Sequence, residues 1–244
     1  MTSRSTAISP AMEDYLKAIH QIAEESGGAP VQTQALSDRL AVSTASVTGM
    51  MKKLDQYGLV EHEPYRGVVL TPKGEAVALE VLRHHRLLEL YLVEQLGMSW
   101  EDVHAEADRL EHVISEVLED RIAAALDHPE RDPHGDPIPA RDGTVPSVPS
   151  QRLSDAAAGA TIEILRVSDR DPRLLQYLAE RGLTPGAAAT VDDVDALAGV
   201  ITLTASGATC TLALGTAAEI SVRDRKSTRL NSSHEWISRM PSSA

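Results

Sequence analysis

A single cysteine, Cys210, stands in 244 residues, which excludes an intramolecular disulfide framework and suits a reducing, cytoplasmic setting. No run approaches the roughly 18 consecutive apolar residues of a membrane-spanning helix. The opening stretch, MTSRSTAISPAMEDYL, has no apolar segment of signal-peptide type. Positive charge is in deficit: 23 Lys and Arg face 36 Asp and Glu, a net charge of −13. That balance argues against non-specific nucleic-acid binding by the whole molecule, but it leaves room for one DNA-contacting face. An H-E-x-x-H run is also missing, and no general base stands poised beside an open metal position, which counts against a metallohydrolase.

What is present reads as a globular chain, 42% hydrophobic, with room for more than one compact unit. Ser9-Pro10 opens a helix, since a serine N-cap followed by proline loses no hydrogen bond at the first helical position. Met12, Tyr15, Leu16, Ile19, His20, Ile22 and Ala23 then recur at helical spacing, and Gly27-Gly28 ends the run. A second helix is predicted from about Thr33 to Leu40, and a third from Thr44, closed by Gly58. Residues 59–62 and 68–70 read as two short strands around a hairpin at 63–67. Thr71-Pro72 restarts a helix running to about Leu96, and another is expected from Ser99 to about Leu126. Residues 129–159 hold six of the thirteen prolines and are expected to be a linker. Beyond it, Thr161–Val167 alternates like a strand, 172–181 looks like a short helix, and 182–222 offers several short strands, so a small β-barrel is expected. Asp224–Ala244 resembles the translation of a sequencing-library adapter and is set aside from functional argument, with the native chain expected to end near Val222.

Helix, helix, short turn, helix and β-hairpin within about 65 residues is the winged helix-turn-helix order. The turn Ala41-Val42-Ser43 is too short for the flanking helices to lie antiparallel. The second helix therefore projects, with Ser43, Thr44, Ala45, Ser46, Thr48 and Gly49 exposed near its N-terminus. Small hydroxyl residues approach phosphates and base edges closely, and a helix N-terminus favours phosphate. Lys52 and Lys53 lie one turn further on, and Arg66 sits at the wing tip, within reach of the backbone or minor groove. A helical bundle whose hairpin touches no DNA, or serves protein contacts, is the plainer alternative.

Twelve of the 36 acidic residues lie between Glu101 and Asp136. At about 100° per residue, His104, Asp108, Glu111 and His112 fall inside one arc of a helix, so two imidazoles and two carboxylates share a face. On the preceding helix His85 and Glu89 are i, i+4 partners. Acidic residues and histidines on an amphipathic helix are usually a solvated face. Two such sets beside a winged helix shift the balance toward a metal site.

At these residues the chain resembles the diphtheria toxin repressor family of metal-dependent regulators, especially its manganese-responsive branch. The carrying stretches are MEDYLKAI (12–19), LAVSTASVTGMMKKLDQYGLVEHEPYRGVVLTPKGE (40–75), LRHHRLLE (82–89), VHAEADRLEHVIS (103–115) and GDPIP (135–139). The resemblance covers residue 9 to about 222. It implies a mainly α chain in three parts: a winged helix-turn-helix DNA-binding domain (1–75), dimerisation and metal-binding helices (76–128), and, after the linker, an SH3-like barrel (160–223). It further implies a homodimer on double-stranded operator DNA that represses metal-uptake genes, with no catalysis, membrane or small organic substrate involved.

Carried over by position, the resemblance implies a primary metal site of Asp14, Asp108, Glu111 and His112. The ancillary site would use His85, Glu89 and His104, completed from the barrel by Asp169 or Asp171. Iron-type members place methionine and cysteine where this chain has Asp14 and Asp108. Carboxylates there harden the site and favour Mn²⁺, with Fe²⁺ the alternative. The paired-manganese form of the family needs a glutamate one turn after the first aspartate, where this chain has Lys17. A cation there opposes a second metal nearby, so two separated sites are expected. A metal joining Asp14 to the 108–112 segment would fix the DNA-reading helices at the spacing of two half-sites. An iron-responsive regulator and a metal-independent winged-helix protein remain the competing readings.

Overall fold

The computed structural model describes residues 8–63 and 66–225; of the expected adapter-derived tail, 224–244, the part from 226 on lies outside them. The chain forms two compact units. One holds Met1–Tyr91, Ala105–Glu130 and Ile138–Pro146; the other holds Leu92–His104, Arg131–Pro137 and Ser147–Ala244.

In the first unit, α1 (Pro10–Glu25), α2 (Thr33–Leu40) and α3 (Thr44–Gln56) precede the hairpin of β1 (Val60–Glu63) and β2 (Gly67–Leu70), and α4 (Pro72–Glu94) follows. The apolar spacing read from the sequence becomes their core: Met12, Leu16, Ile19, Leu36, Val47, Met51, Leu54, Leu59 and Val68 are buried together. Ala41 ends α2 in the left-handed region (φ 52°), and Ser43 starts α3 two residues later by accepting from Ser46 N, which turns the chain sharply between the two helices. Gly74 allows the start of α4 to press on the wing, because a Cβ there would lie 1.9 Å from the Leu59 carbonyl oxygen.

The helix expected from Ser99 to Leu126 is two helices, α5 (Val103–Leu110) and α6 (Glu116–Ala125). Glu111 N still reaches the Ala107 carbonyl, but Val113 N bonds Leu110 O, one residue tighter. Ser115 then caps α6 by accepting from Leu118 N. The break falls inside a continuous apolar rhythm and has no Gly or Pro to announce it. Leu87, Leu88 and Leu90 of α4 pack with Ala107, Ile114, Ile122, Ala123 and Ile138.

The second unit is built on one antiparallel sheet, in the order β3 (Gln151–Arg152), β8 (Ile220–Asp224), β4 (Thr161–Val167), β5 (Ala188–Asp195), β6 (Val200–Ala205), β7 (Ala208–Ala213). The short helices α7 (Pro172–Ala179) and α8 (Leu214–Ala217) lie between its strands in sequence. Alternating residues Ile162, Ile164, Val191, Ile201, Leu203, Leu212, Ile220 and Val222 form its core. This is the small β-domain foreseen from the sequence.

The stretch 129–159 is not a plain linker. Asp132, His134, Asp136 and Ile138 are buried. Asp132 Oδ1 accepts from the backbone N–H of His134 and Asp136, closing a tight turn that proline content alone disguised as a spacer. His134 stacks on Trp100 and its Nε2 lies 2.7 Å from the Trp100 carbonyl, while Gln151–Arg152 pair with β8.

Candidate metal centre and DNA-facing surface

Asp14 is on α1, three residues before Lys17, so both project from one face toward the end of α5. His112, just past that end, places Nε2 2.9 Å from Asp14 Oδ1 and Nδ1 2.7 Å from Glu13 Oε2. Glu111 Oε1 lies 3.4 Å from the same Nε2. Ligand atoms of Asp14, Glu111 and His112 are within 4.8 Å of one another. Burial raises the Asp14 pKa above the ordinary carboxylate value, against the pull of His112 and Lys17.

Glu111 is also the centre of a second group. Its side chain is fully buried. One oxygen accepts from Lys17 Nζ at 2.6 Å, and the other lies 2.5 Å from His85 Nδ1. Lys17 Nζ also donates to Asp108 Oδ1 at 2.9 Å, and Asp108 is 3.3 Å from His85 Nδ1. Burial would raise the Glu111 pKa, but the His85 hydrogen bond and the Lys17 charge together lower it. For Lys17 burial works toward the neutral form, and the two carboxylates outweigh it, raising the pKa.

His85 Nε2 meets Glu89 Oε1 at 3.0 Å, on the neighbouring turn of α4. Burial disfavours the charged ring, yet Glu89 and the bonds from Glu111 and Glu89 push its pKa up to about 9. Behind this lies a brace. His84 is buried with Nδ1 3.2 Å from the Glu111 carbonyl and Nε2 3.2 Å from Glu119 Oε2. Arg83 holds the other Glu119 oxygen and donates to Pro139 O at 2.8 Å. Burial raises the Glu119 pKa, but His84 and Arg83 hold it down to about 2.

In the second unit His104 Nδ1 lies 3.2 Å from Asp169 Oδ2. Of the two barrel residues offered as ligands, Asp169 or Asp171, it is Asp169 that faces this histidine. Asp171 caps α7 by accepting from Arg173 N and pairs with the Arg173 side chain, which also lowers its pKa.

The four residues expected in one arc are therefore divided. Asp108 sits on α5 beside Lys17 and His85, Glu111 and His112 follow the helix end, and His104 faces Asp169. Glu13, His84 and Glu119 were missed. Glu13 is adjacent to Asp14 in sequence, and a carboxylate behind a ligating histidine is a common arrangement, so a signal existed for it. Nothing in the sequence pairs Glu119 with His84.

The donors suit a divalent cation. Asp14, Glu111 and His112 offer carboxylate and imidazole atoms, convergent and without sulfur, a set that suits Mn²⁺ or Fe²⁺ better than a thiolate-preferring ion.

On α3, Ser43, Thr44, Ala45, Ser46, Thr48 and Gly49 are exposed, as are Lys52, Lys53 and Arg66. Two of the hydroxyls also serve the helix: Ser43 Oγ caps it, and Thr48 Oγ1 donates to Thr44 O at 2.9 Å. Arg66 O accepts from Gln32 Nε2, tying the wing to the residue before α2. Pro64 and Tyr65, at the wing tip, lie outside the described residues. Among the described residues, no helix is long and apolar enough to cross a membrane.

Three family models match the chain in succession. These are the iron dependent repressor N-terminal DNA binding domain over 7–68, the iron dependent repressor metal binding and dimerisation domain over 71–140, and the FeoA domain over 151–224. The iron-dependent repressor IdeR of Mycobacterium leprae is 34% identical over 193 residues, 74% of this chain and 83% of that protein. The diphtheria toxin repressor of Corynebacterium diphtheriae is 35% identical over 150 residues, 59% of this chain and 66% of that protein. Among solved structures, a manganese-dependent transcriptional repressor in complex with manganese superimposes with a TM-score of 0.80 at 39% identity, covering 87% of this chain and 99% of that one. The manganese regulator SloR gives 0.74 at 29% identity, covering 89% and 100%.

Proposed function

The chain belongs to the diphtheria toxin repressor family of metal-dependent DNA-binding repressors, and on that premise we propose that it is a manganese-responsive, homodimeric repressor of metal-uptake genes. Members of this family are transcriptional repressors rather than enzymes. A repressor acts where the DNA is, so the proposed setting is the cytoplasm.

One observation carries the proposal: Asp14 of α1, Glu111 and His112 bring oxygen and nitrogen donors within 4.8 Å of one another. Asp14 and His112 belong to different parts of the family pattern, the DNA-binding and the metal-binding segments. A bound divalent cation would supply positive charge and a shared coordination point for these donors. Glu111 and His112, held by the end of α5, would present one side of that point, and Asp14 the other. Through Asp14, α1 and the α2–α3 pair packed on it would take a fixed orientation, favouring the DNA-competent form of the dimer. Tenfold tighter operator binding needs only about 1.4 kcal/mol of such bias. Asp108 is the fourth proposed primary ligand. His85 with Glu89, and His104 with Asp169, are the proposed ancillary donors.

Ser43, Thr44, Ala45, Ser46, Thr48 and Gly49 would read or approach the major groove, and Lys52 and Arg66 would hold phosphates. The dimer is supported by an exposed aliphatic set around the α5–α6 break: Leu110, Val113, Val117 and Leu118, with Val113 74% and Val117 71% exposed. Carboxylates at positions 14 and 108 favour Mn²⁺. The likeness to IdeR over 83% of that protein supports the second reading, an iron-responsive regulator.

The test is binding of the full chain to DNA upstream of a neighbouring metal-transporter gene, titrated separately with Mn²⁺, Fe²⁺ (without oxygen) and Zn²⁺. Manganese-dependent binding abolished by chelator is expected. Binding unaffected by chelator would replace the sensor with a metal-independent winged-helix protein, and stimulation by Fe²⁺ alone would select the second reading.

A further inference from the structure

The donor cluster already contains a cation. Lys17 Nζ lies 2.6 Å from Glu111 Oε1 and 2.9 Å from Asp108 Oδ1, with the lysine side chain only 12% exposed. Glu111 is the carboxylate common to both donor groups, Asp14–Glu111–His112 and His85–Asp108–Glu111. Its two oxygens are divided between Lys17 and His85. A divalent ion drawing on Glu111 Oε1 therefore meets an ammonium group already on that atom. Two cations sharing one carboxylate repel each other at short range, most strongly where burial limits solvent screening.

We propose that Lys17 is an internal competitor for the regulatory metal: its ammonium holds Glu111 and Asp108 in the metal-free protein and raises the metal concentration needed to fill the site. This rests on the metal-sensor reading above and adds a threshold to it. Lys17 is suited to the role because it lies one turn after Asp14 on α1 and reaches across to the α5 end. In the metal-free protein it offsets repulsion among Asp14, Asp108 and Glu111. When metal arrives, the same charge opposes it.

A lysine that merely braces the site makes the opposite prediction for metal affinity. If Lys17 only positions Glu111 and Asp108, removing it misplaces the ligands and weakens binding. If it competes, removing its charge tightens binding.

The experiment uses the full chain as wild type, Lys17→Met, Lys17→Gln and Lys17→Arg. It measures Mn²⁺ affinity by calorimetry against a competing chelator and the thermal midpoint of the metal-free proteins. Lys17→Met should bind Mn²⁺ about tenfold more tightly, Lys17→Arg should stay near wild type, and metal-free Lys17→Met should melt at a lower temperature. Lys17→Gln, which keeps a donor without the charge, should also bind more tightly and covers the case in which the methionine variant does not fold. Wild-type binding with no tightening in the neutral variants overturns the competitor role and leaves the sensor intact. No Mn²⁺ binding by wild type or variants overturns the sensor and this inference with it.

Discussion

His112 Nε2 and Asp14 Oδ1 lie 2.9 Å apart although 98 residues separate them in the chain, and the other ring nitrogen of His112 faces Glu13 Oε2 at 2.7 Å. One imidazole is thus held between adjacent carboxylates of α1. For a histidine that binds metal through Nε2, a carboxylate on Nδ1 fixes the ring and makes it a better donor.

Glu13→Gln should therefore lower Mn²⁺ affinity by about tenfold, and Glu13→Ala by up to about a hundredfold, with the fold retained. Glu13 is also an acidic residue in the first turn of α1, where it favours the helix dipole. If that were its only role, both variants would lose a little thermal stability and leave the Mn²⁺ titration unchanged.

Glu119 gives a prediction in pH. Its pKa in the fold, about 2, is below the ordinary 4.5, so it favours the folded state fully above the ordinary value. That contribution is lost as pH falls from about 4.5 through about 2. Glu119→Gln should destabilise the protein at neutral pH by roughly 2–4 kcal/mol, because Arg83 and His84 lose a buried counter-charge. It should also flatten the acid limb of a denaturation series over that same interval. Equal slopes for wild type and variant would remove the brace from the account.

The aliphatic set around the α5–α6 break predicts assembly. Val113→Lys combined with Val117→Lys replaces two largely exposed side chains, so the protomer should fold normally. Light scattering should then give half the wild-type mass. A dimeric double variant would assign the dimer contact elsewhere.

Much of the fold was legible because it rests on local chemistry. Ser9-Pro10 and Gly58 mark helix ends by backbone rules that operate wherever the residues stand, and the alternation at 161–167 needs only a two-sided sheet. The break between α5 and α6 was not legible. It depends on Ser115 capping and on His84 reaching the Glu111 carbonyl from α4, a long-range bond with no sequence rhythm. The same cause hid Glu119, and it made 129–159 read as a spacer when Asp132 closes a buried turn. For the site, Asp14, Glu111 and His112 do come together, and His85 meets Glu89. Asp169 and Asp171 were left as alternatives because the sequence cannot distinguish a helix-capping aspartate from one aimed at a histidine.

The most direct test of the central claim is operator binding by Asp14→Ala, followed by fluorescence anisotropy on a labelled duplex while Mn²⁺ is raised. The account predicts a folded dimer whose DNA affinity hardly responds to Mn²⁺, because α1 has lost its donor. Manganese stimulation equal to that of wild type would contradict it.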